Sequence, residues 1–168
     1  MSTPALGMRL AEASDLPAIV TIFNEAIATR ISVAFTQPVS IAERSAWFFA
    51  HTPLRYPIHV ACQGSEVVAR LSVSPYSERQ AYDATAEISA YVRASVQRGG
   101  IASALLAHAA AAARAVGITR LVARIFGSNV KSIAFFERRG FERWGCLPKI
   151  GIVDGEPRDL IVYGKVLV

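Results

Sequence analysis

Residues 84–117 read ATAEISAYVRASVQRGGIASALLAHAAAAARAVG, an uninterrupted passage from strand pattern through a glycine loop to a helix pattern. In its first part Ala84, Ala86, Ile88, Ala90 and Val92 alternate with Thr85, Glu87, Ser89 and Tyr91. That period of two predicts a strand with one apolar and one polar face. In its last part an Ala-rich run over residues 101–116 predicts a long helix. Between them, Gln97-Arg98-Gly99-Gly100-Ile101-Ala102 starts the helix on glycines, with no Ser, Thr, Asp or Asn immediately before the apolar run. The first N–H groups of that helix therefore have no side-chain acceptor. Together with the positive end of the helix dipole they form a cradle for phosphate-type oxygens.

Toward the N-terminus, residues 8–10 are expected as a short strand. Ser14-Asp15 is a cap signal, and Leu16, Ile19, Val20, Phe23 and Ile27 recur at the spacing of a first helix. Ser40-Ile41-Ala42-Glu43 has the form of a capping box and opens a second helix through Trp47, Phe48 and Phe49. An aromatic-bearing loop around Phe35 connects the two. Residues 56–63 and 66–74 read as strands joined by the two-residue turn Gly64-Ser65, hence antiparallel. Toward the C-terminus the pattern gives a strand over 121–126, a helix over 129–139 stopped by Gly140, and closing strands over 141–147 and 160–168. This order implies an α/β fold of the α+β mixed-sheet kind, because strand-helix-strand crossovers make neighbours parallel while the hairpin makes them antiparallel. Helices are expected on both faces.

At 168 residues, one domain spanning 1–168 is expected, able to bury roughly 70% of its unfolded surface. A composition 52% hydrophobic and 18% charged places the chain among folded proteins. The net charge of +5 favours anionic partners. Lys and Arg are scattered rather than clustered, and no aromatic–basic interleaving is present, so nucleic acid is not expected as a partner. Cys62 and Cys146 are too few for a disulfide framework or a zinc site, and His51, His59 and His108 have no ligand spacing, so no metal is expected. No secretory signal is read in residues 1–10, and the longest uncharged run, 99–113, is shorter than a membrane span. The expected setting is cytoplasmic, without membrane contact.

Glu87 sits on the polar face of the strand that feeds the anion loop. A carboxylate there is either one solvated residue of a half-buried strand or, if the strand lies mid-sheet and faces a cleft, a general base. The loop lacks both the G-x-x-x-x-G-K-[ST] of a P-loop and the G-x-G-x-x-G of a dinucleotide fold.

With Gln97-x-x-Gly100-x-Ala102 after a strand, and Asn129-x-x-Ser132 opening a helix that ends in Gly140-Phe141, the chain resembles the GCN5-related N-acetyltransferase (GNAT) family. Within it, the chain is similar to the phosphinothricin and methionine sulfoximine acetyltransferase branch, also described as L-amino-acid N-acyltransferases. The likeness runs through Asp15-Leu16-Pro17, Asn24 with Ala26-Ile27, Ala46-Trp47-Phe48, Tyr56-Pro57, Ala81-Tyr82-Asp83, Glu87 with Tyr91-Val92, and Asp159. It implies acetyl-CoA as cofactor, held by Val92, Gln97, Arg98, Gly99, Gly100, Ile101 and Ala102, with Asn129 and Ser132 on the cofactor side. It implies Glu87 as general base for direct transfer to the primary amine of a small amino acid or analogue, and, by analogy, a homodimer. Phe35, Tyr76 and Tyr82 are candidate walls of the acceptor pocket, and Arg79 a candidate partner for a substrate carboxylate. Cys62, in an apolar strand, is expected to be an inert core thiol. The chain departs from the pattern at Phe136, where relatives often have Tyr or His, and at Ser77 and Pro157. Those departures leave two rival readings open: transfer to a different amine, such as a polyamine, an antibiotic or a protein N-terminus, or acyl-CoA binding without catalysis.

Overall fold

The alternating segment at residues 85–92 becomes a central strand. In a computed structural model describing residues 5–97 and 99–168, seven strands form one sheet in the order β1-β2-β3-β4-β5-β7-β6. They are β1 (Leu6–Leu10), β2 (Ile58–Gln63), β3 (Glu66–Pro75), β4 (Thr85–Val92), β5 (Arg120–Phe126), β6 (Glu142–Val153) and β7 (Glu156–Val166). Every adjacent pair is antiparallel except β4 and β5. These two run parallel and pair only where Thr85, Ala86 and Glu87 face Arg120, Leu121 and Val122. Past Glu87 they part, while β4 stays paired to β3 as far as Val92. The expected mixed sheet is thus present, and it opens into a V at its middle.

The helices α1 (Leu16–Ala28), α2 (Ile41–Phe49), α3 (Ile101–Ala115) and α4 (Val130–Glu137) cover the two faces. Leu105, Leu106 and Ala109 of α3 and Phe136 of α4 pack with Leu71, Val73, Ala86 and Ile88 of the sheet. On the opposite face, Leu16, Ile19, Val20 and Ile22 of α1 and Phe48 of α2 pack with Val60, Cys62 and Val67. The alternation in β3 and β4 is what feeds both layers, since successive side chains leave the sheet on opposite sides. Removing each Val, Leu, Ile or Phe among them from water contributes about 1.5–3 kcal/mol.

The capping box at Ser40 forms as expected. Its hydroxyl accepts from the Glu43 N–H at 3.2 Å, and the Glu43 carboxylate accepts from the Ser40 N–H at 2.7 Å. Asp15 behaves differently from the expected cap. Its carboxylate turns back to accept from the Glu12 N–H at 2.7 Å and from both Nη atoms of Arg9 at 2.6 and 2.9 Å, tying β1 to the start of α1. The Arg9 guanidinium holds the Asp15 carboxyl below the usual carboxylate range. The closing strands also run longer than expected, because they meet at Asp154-Gly155, both with positive φ (53° and 79°). Asp-Gly is the strongest two-residue hairpin signal, and it places the turn between β6 and β7. Among the described residues no helix is long and apolar enough to cross a membrane.

Candidate active site

The V between β4 and β5 leads to the start of α3. Gly100 is the N-cap of that helix, with φ 74° and no side-chain hydrogen bond to the helix. A Cβ there would meet nothing within 4 Å, so glycine is required by the dihedral and not by crowding. The N–H groups of the following turn therefore have no partner within the helix and no capping side chain. That turn borders a cleft of about 860 Å³ whose wall includes Val92, Gln97, Gly100, Ile101, Ala102, Asn129 and Ser132. Seven of the nine residues expected at the cofactor are brought together there. Gly99 adjoins the loop without forming part of the wall, and Arg98 lies outside the described residues.

Asn129 is buried, and its Oδ1 accepts from the Ser132 N–H at 3.2 Å, so it caps α4 and sets that helix against the cleft. The cleft carries excess positive charge: Lys131, Arg138 and Arg139 line it, together with Arg124, which is paired to Glu87, against Glu25 as the one acid among the described lining residues. Glu25 is already engaged, accepting from the Ala94 N–H at 2.9 Å and lying 3.7 Å from Arg93. Open amides, a positive dipole end and excess cationic side chains fit a diphosphate.

Glu87 stands at the last paired residue of β4, where the strands separate. Its side chain is 24% exposed. Both oxygens are occupied by Arg124 of β5, Nε to Oε1 at 2.9 Å and Nη2 to Oε2 at 2.7 Å. Each carboxylate oxygen retains a second lone pair for an incoming donor. Arg124 was not read as functional from the sequence. The available signal is that it is the one charge inside the apolar run Leu121-Val122-Ala123-Arg124-Ile125-Phe126.

The four residues expected around the acceptor do not line this cleft. Phe35 packs edge-on against Phe23 with centroids 5.2 Å apart, Tyr76 and Tyr82 pack on each other at 5.5 Å, and Arg79 is exposed. Phe136 is buried between Phe135 and Phe141, its ring carrying no proton to give. Cys62 is buried in the α1/α2 core, as expected of an inert thiol.

The same chain matches the family model described as Acetyltransferase (GNAT) family over residues 21–141. It is 41% identical over 161 residues to YwnH of Bacillus subtilis (strain 168), covering 95% of this chain and 98% of the relative. To the L-methionine sulfoximine/L-methionine sulfone acetyltransferase of Pseudomonas paraeruginosa it is 35% identical over 154 residues, 91% of this chain and 90% of the relative. The crystal structure of a GNAT superfamily phosphinothricin acetyltransferase from Sinorhizobium meliloti, in complex with AcCoA, superposes with a TM-score of 0.89 at 29% identity, covering 96% of this chain and 88% of that one. A glycine-started helix beside parted parallel strands, in a chain with these likenesses, belongs to the GNAT family of acetyltransferases.

Proposed function

We propose that this N-acetyltransferase moves the acetyl group of acetyl-CoA directly to the primary amine of a small amino acid or analogue, of the phosphinothricin or methionine sulfoximine kind, with Glu87 as general base. The observation that supports the reading is that Glu87 is the last residue of β4 paired to β5, immediately before Ile88 and Ser89, where the β4 wall of the cleft begins. Acetyl-CoA is the cofactor of the family, and the residues present fit it at the diphosphate end. When bound, it supplies an acyl thioester with a thiol leaving group. The amides of residues 101 and 102, with Gly100 and Gln97 beside them, hold the diphosphate. Val92 and the free edge of β4 receive the arm that follows.

An acceptor amine arrives largely as ammonium, so a base must take a proton before nitrogen attacks. Glu87 does so through the lone pairs Arg124 leaves free, and Arg124 fixes the carboxylate's orientation. Between Ile88 and Val92, β4 has no β5 partner, so its N–H groups on that edge are available to charge developing on oxygen. No side-chain acid is assigned to the departing sulfur. A thiol of ordinary pKa near 8.5 leaves unaided.

The position of Tyr76, Arg79 and Tyr82 outside the cleft wall favours one second reading, transfer to an amine lacking a carboxylate. A panel of amines with a free-thiol readout separates the two: turnover confined to carboxylate-free amines would replace the first reading with the second, and coenzyme A binding with no turnover of any amine would leave only a binding module. We further propose a cytoplasmic homodimer of one domain. Cys146 is an exposed unpaired thiol, which a reducing compartment preserves. The edge strand β6 exposes Trp144, Leu147, Ile150 and Ile152, a surface that a second copy would cover. A monomer by sedimentation at micromolar concentration would refute the pairing.

A further inference from the structure

The α1/α2 face of β3 and β4 carries a row of polar side chains in register: Ser74 opposite Glu87, Ser72 opposite Ser89, and Arg70 opposite Tyr91. Arg70 is 0% exposed and has no carboxylate partner among the described residues. Its Nη1 donates to the hydroxyls of Ser72 and Ser89, both at 3.0 Å, while its Nε and Nη2 are buried without an acceptor. Aromatic faces surround the charge, with Tyr91 at 4.5 Å, Trp47 at 5.0 Å and Phe23 at 5.3 Å. A second cation, Arg44, stacks on Trp47 at 3.7 Å and also buries an unpartnered Nε. Burial, reinforced by Arg44, pushes the Arg70 guanidinium down to about 10. A fully buried cation beside a half-buried one, neither with a counter-ion among the described residues, is costly to a fold, and an anion brought to them recovers much of that cost.

The donors and acceptors of the cluster point to where such an anion goes. Ser72 and Ser89 lie 2.9 Å apart, and either hydroxyl is able to donate to the other. Ser72 is only 4% exposed, so its hydrogen is spent on Ser89. The Ser89 hydroxyl, already accepting from Arg70 and Ser72, is left as a donor, and Ser89 lines the cleft. We infer that Ser89, backed by Arg70 and Ser72, is the subsite that binds the carboxylate of the acceptor, or an isosteric oxyanion, while its amine meets Glu87. Glu87 and Ser89 are one same-face step apart, about 7 Å along the strand. Two hydrogen bonds of about 2.8 Å each and the short span between amine and carboxylate of an α-amino acid bridge that step. The inference rests on the acetyltransferase reading for the amine's role, and it assigns the acid-binding role to Arg70 in place of Arg79.

The test has a binding arm that needs no turnover. Butanoate, with butanamide as the neutral control at constant ionic strength, is titrated against the protein by ligand-observed NMR. Wild type should bind butanoate in preference to butanamide, and Arg70→Met should weaken butanoate about 10-fold or more. Arg70→Met should fold with a melting temperature at or above that of wild type, since it removes a buried unpaired charge. Should it fail to fold, Ser89→Ala, which removes the cleft-facing donor alone, should show the same loss. In the kinetic arm, the preference for L-methionine over L-methioninamide in kcat/KM should fall about 10-fold or more in Arg70→Met, through KM and not kcat. Butanoate binding that is absent in wild type, or that is as tight in Arg70→Met or Ser89→Ala as in wild type, overturns the inference. If no amine is acetylated yet butanoate binding still depends on Arg70, the acetyl-transfer reading falls and the anion subsite stands.

Discussion

Replacing Glu87 by Gln separates chemistry from stability, and the structure sets both magnitudes. The substitution keeps the shape of the side chain and one acceptor oxygen for Arg124, but removes the charge and the basic lone pairs. Arg124 is 52% exposed, so the lost pairing is worth at most about 1 kcal/mol. In a chain of 168 residues that lowers the melting temperature by only about 2–4 °C. Loss of a general base costs about 10² to 10⁴ in kcat, or about 2.7–5.5 kcal/mol of barrier. The proposed coenzyme A site, at the start of α3 and the cap of α4, should be unaffected, so its dissociation constant should stay within about twofold of wild type. Turnover would be followed by free thiol release at saturating acetyl-CoA, correcting for the one exposed protein thiol at Cys146, with calorimetry for coenzyme A and a thermal melt on the same preparation. A kcat within about threefold of wild type would remove Glu87 from the reaction, whatever the cofactor affinity.

Gly100→Ala should cost about 1 kcal/mol of stability, from φ 74° alone, and weaken coenzyme A by turning the first helical amides; unchanged affinity by calorimetry would separate the diphosphate from this loop. His59 is buried without partners and faces His108 at 5.0 Å; burial first and His108 second depress it to about 4. Because its folded value lies below the unfolded value near 6.5, the unfolded chain takes up the proton first. His59 therefore takes away stability as pH falls from 6.5 toward 4, by at most about 3 kcal/mol. His59→Phe should flatten denaturant midpoints across that window, and an unaltered slope would show that another group dominates. Phe136→Ala should destabilise by about 3–5 kcal/mol, since the ring is buried against two others. A urea midpoint close to wild type would mean that the site collapses around the gap.

Much of the architecture was legible in the residues because it rests on short-range rules. The two-residue alternation of 85–92, the glycines before Ile101, the box from Ser40 to Glu43 and the turn at Gly64-Ser65 each state a local conformation, and each is found. The closing hairpin carries a local signal too, in Asp154-Gly155, yet the strands expected over 141–147 and 160–168 stop short of that turn. The glycine-started end of α3 that borders the cleft follows from the same local signals, since an uncapped helix start is a property of a few consecutive residues.

The fork of β4 and β5, the Arg124 pairing and the Arg70 cluster have no such signature. Glu87 and Arg124 are 37 residues apart and meet because a parallel register of only three residues brings their strands together before they diverge. Arg70 reads in the sequence as one more basic residue, yet it is sealed by Trp47 of α2, Phe23 of α1 and Tyr91 of β4. Backbone preference and side-chain periodicity act over a few residues, whereas desolvation and charge pairing depend on which distant surfaces close over a group. The chain therefore announces its strands, its helices and its anion loop, and packing determines which of its charges lose their water.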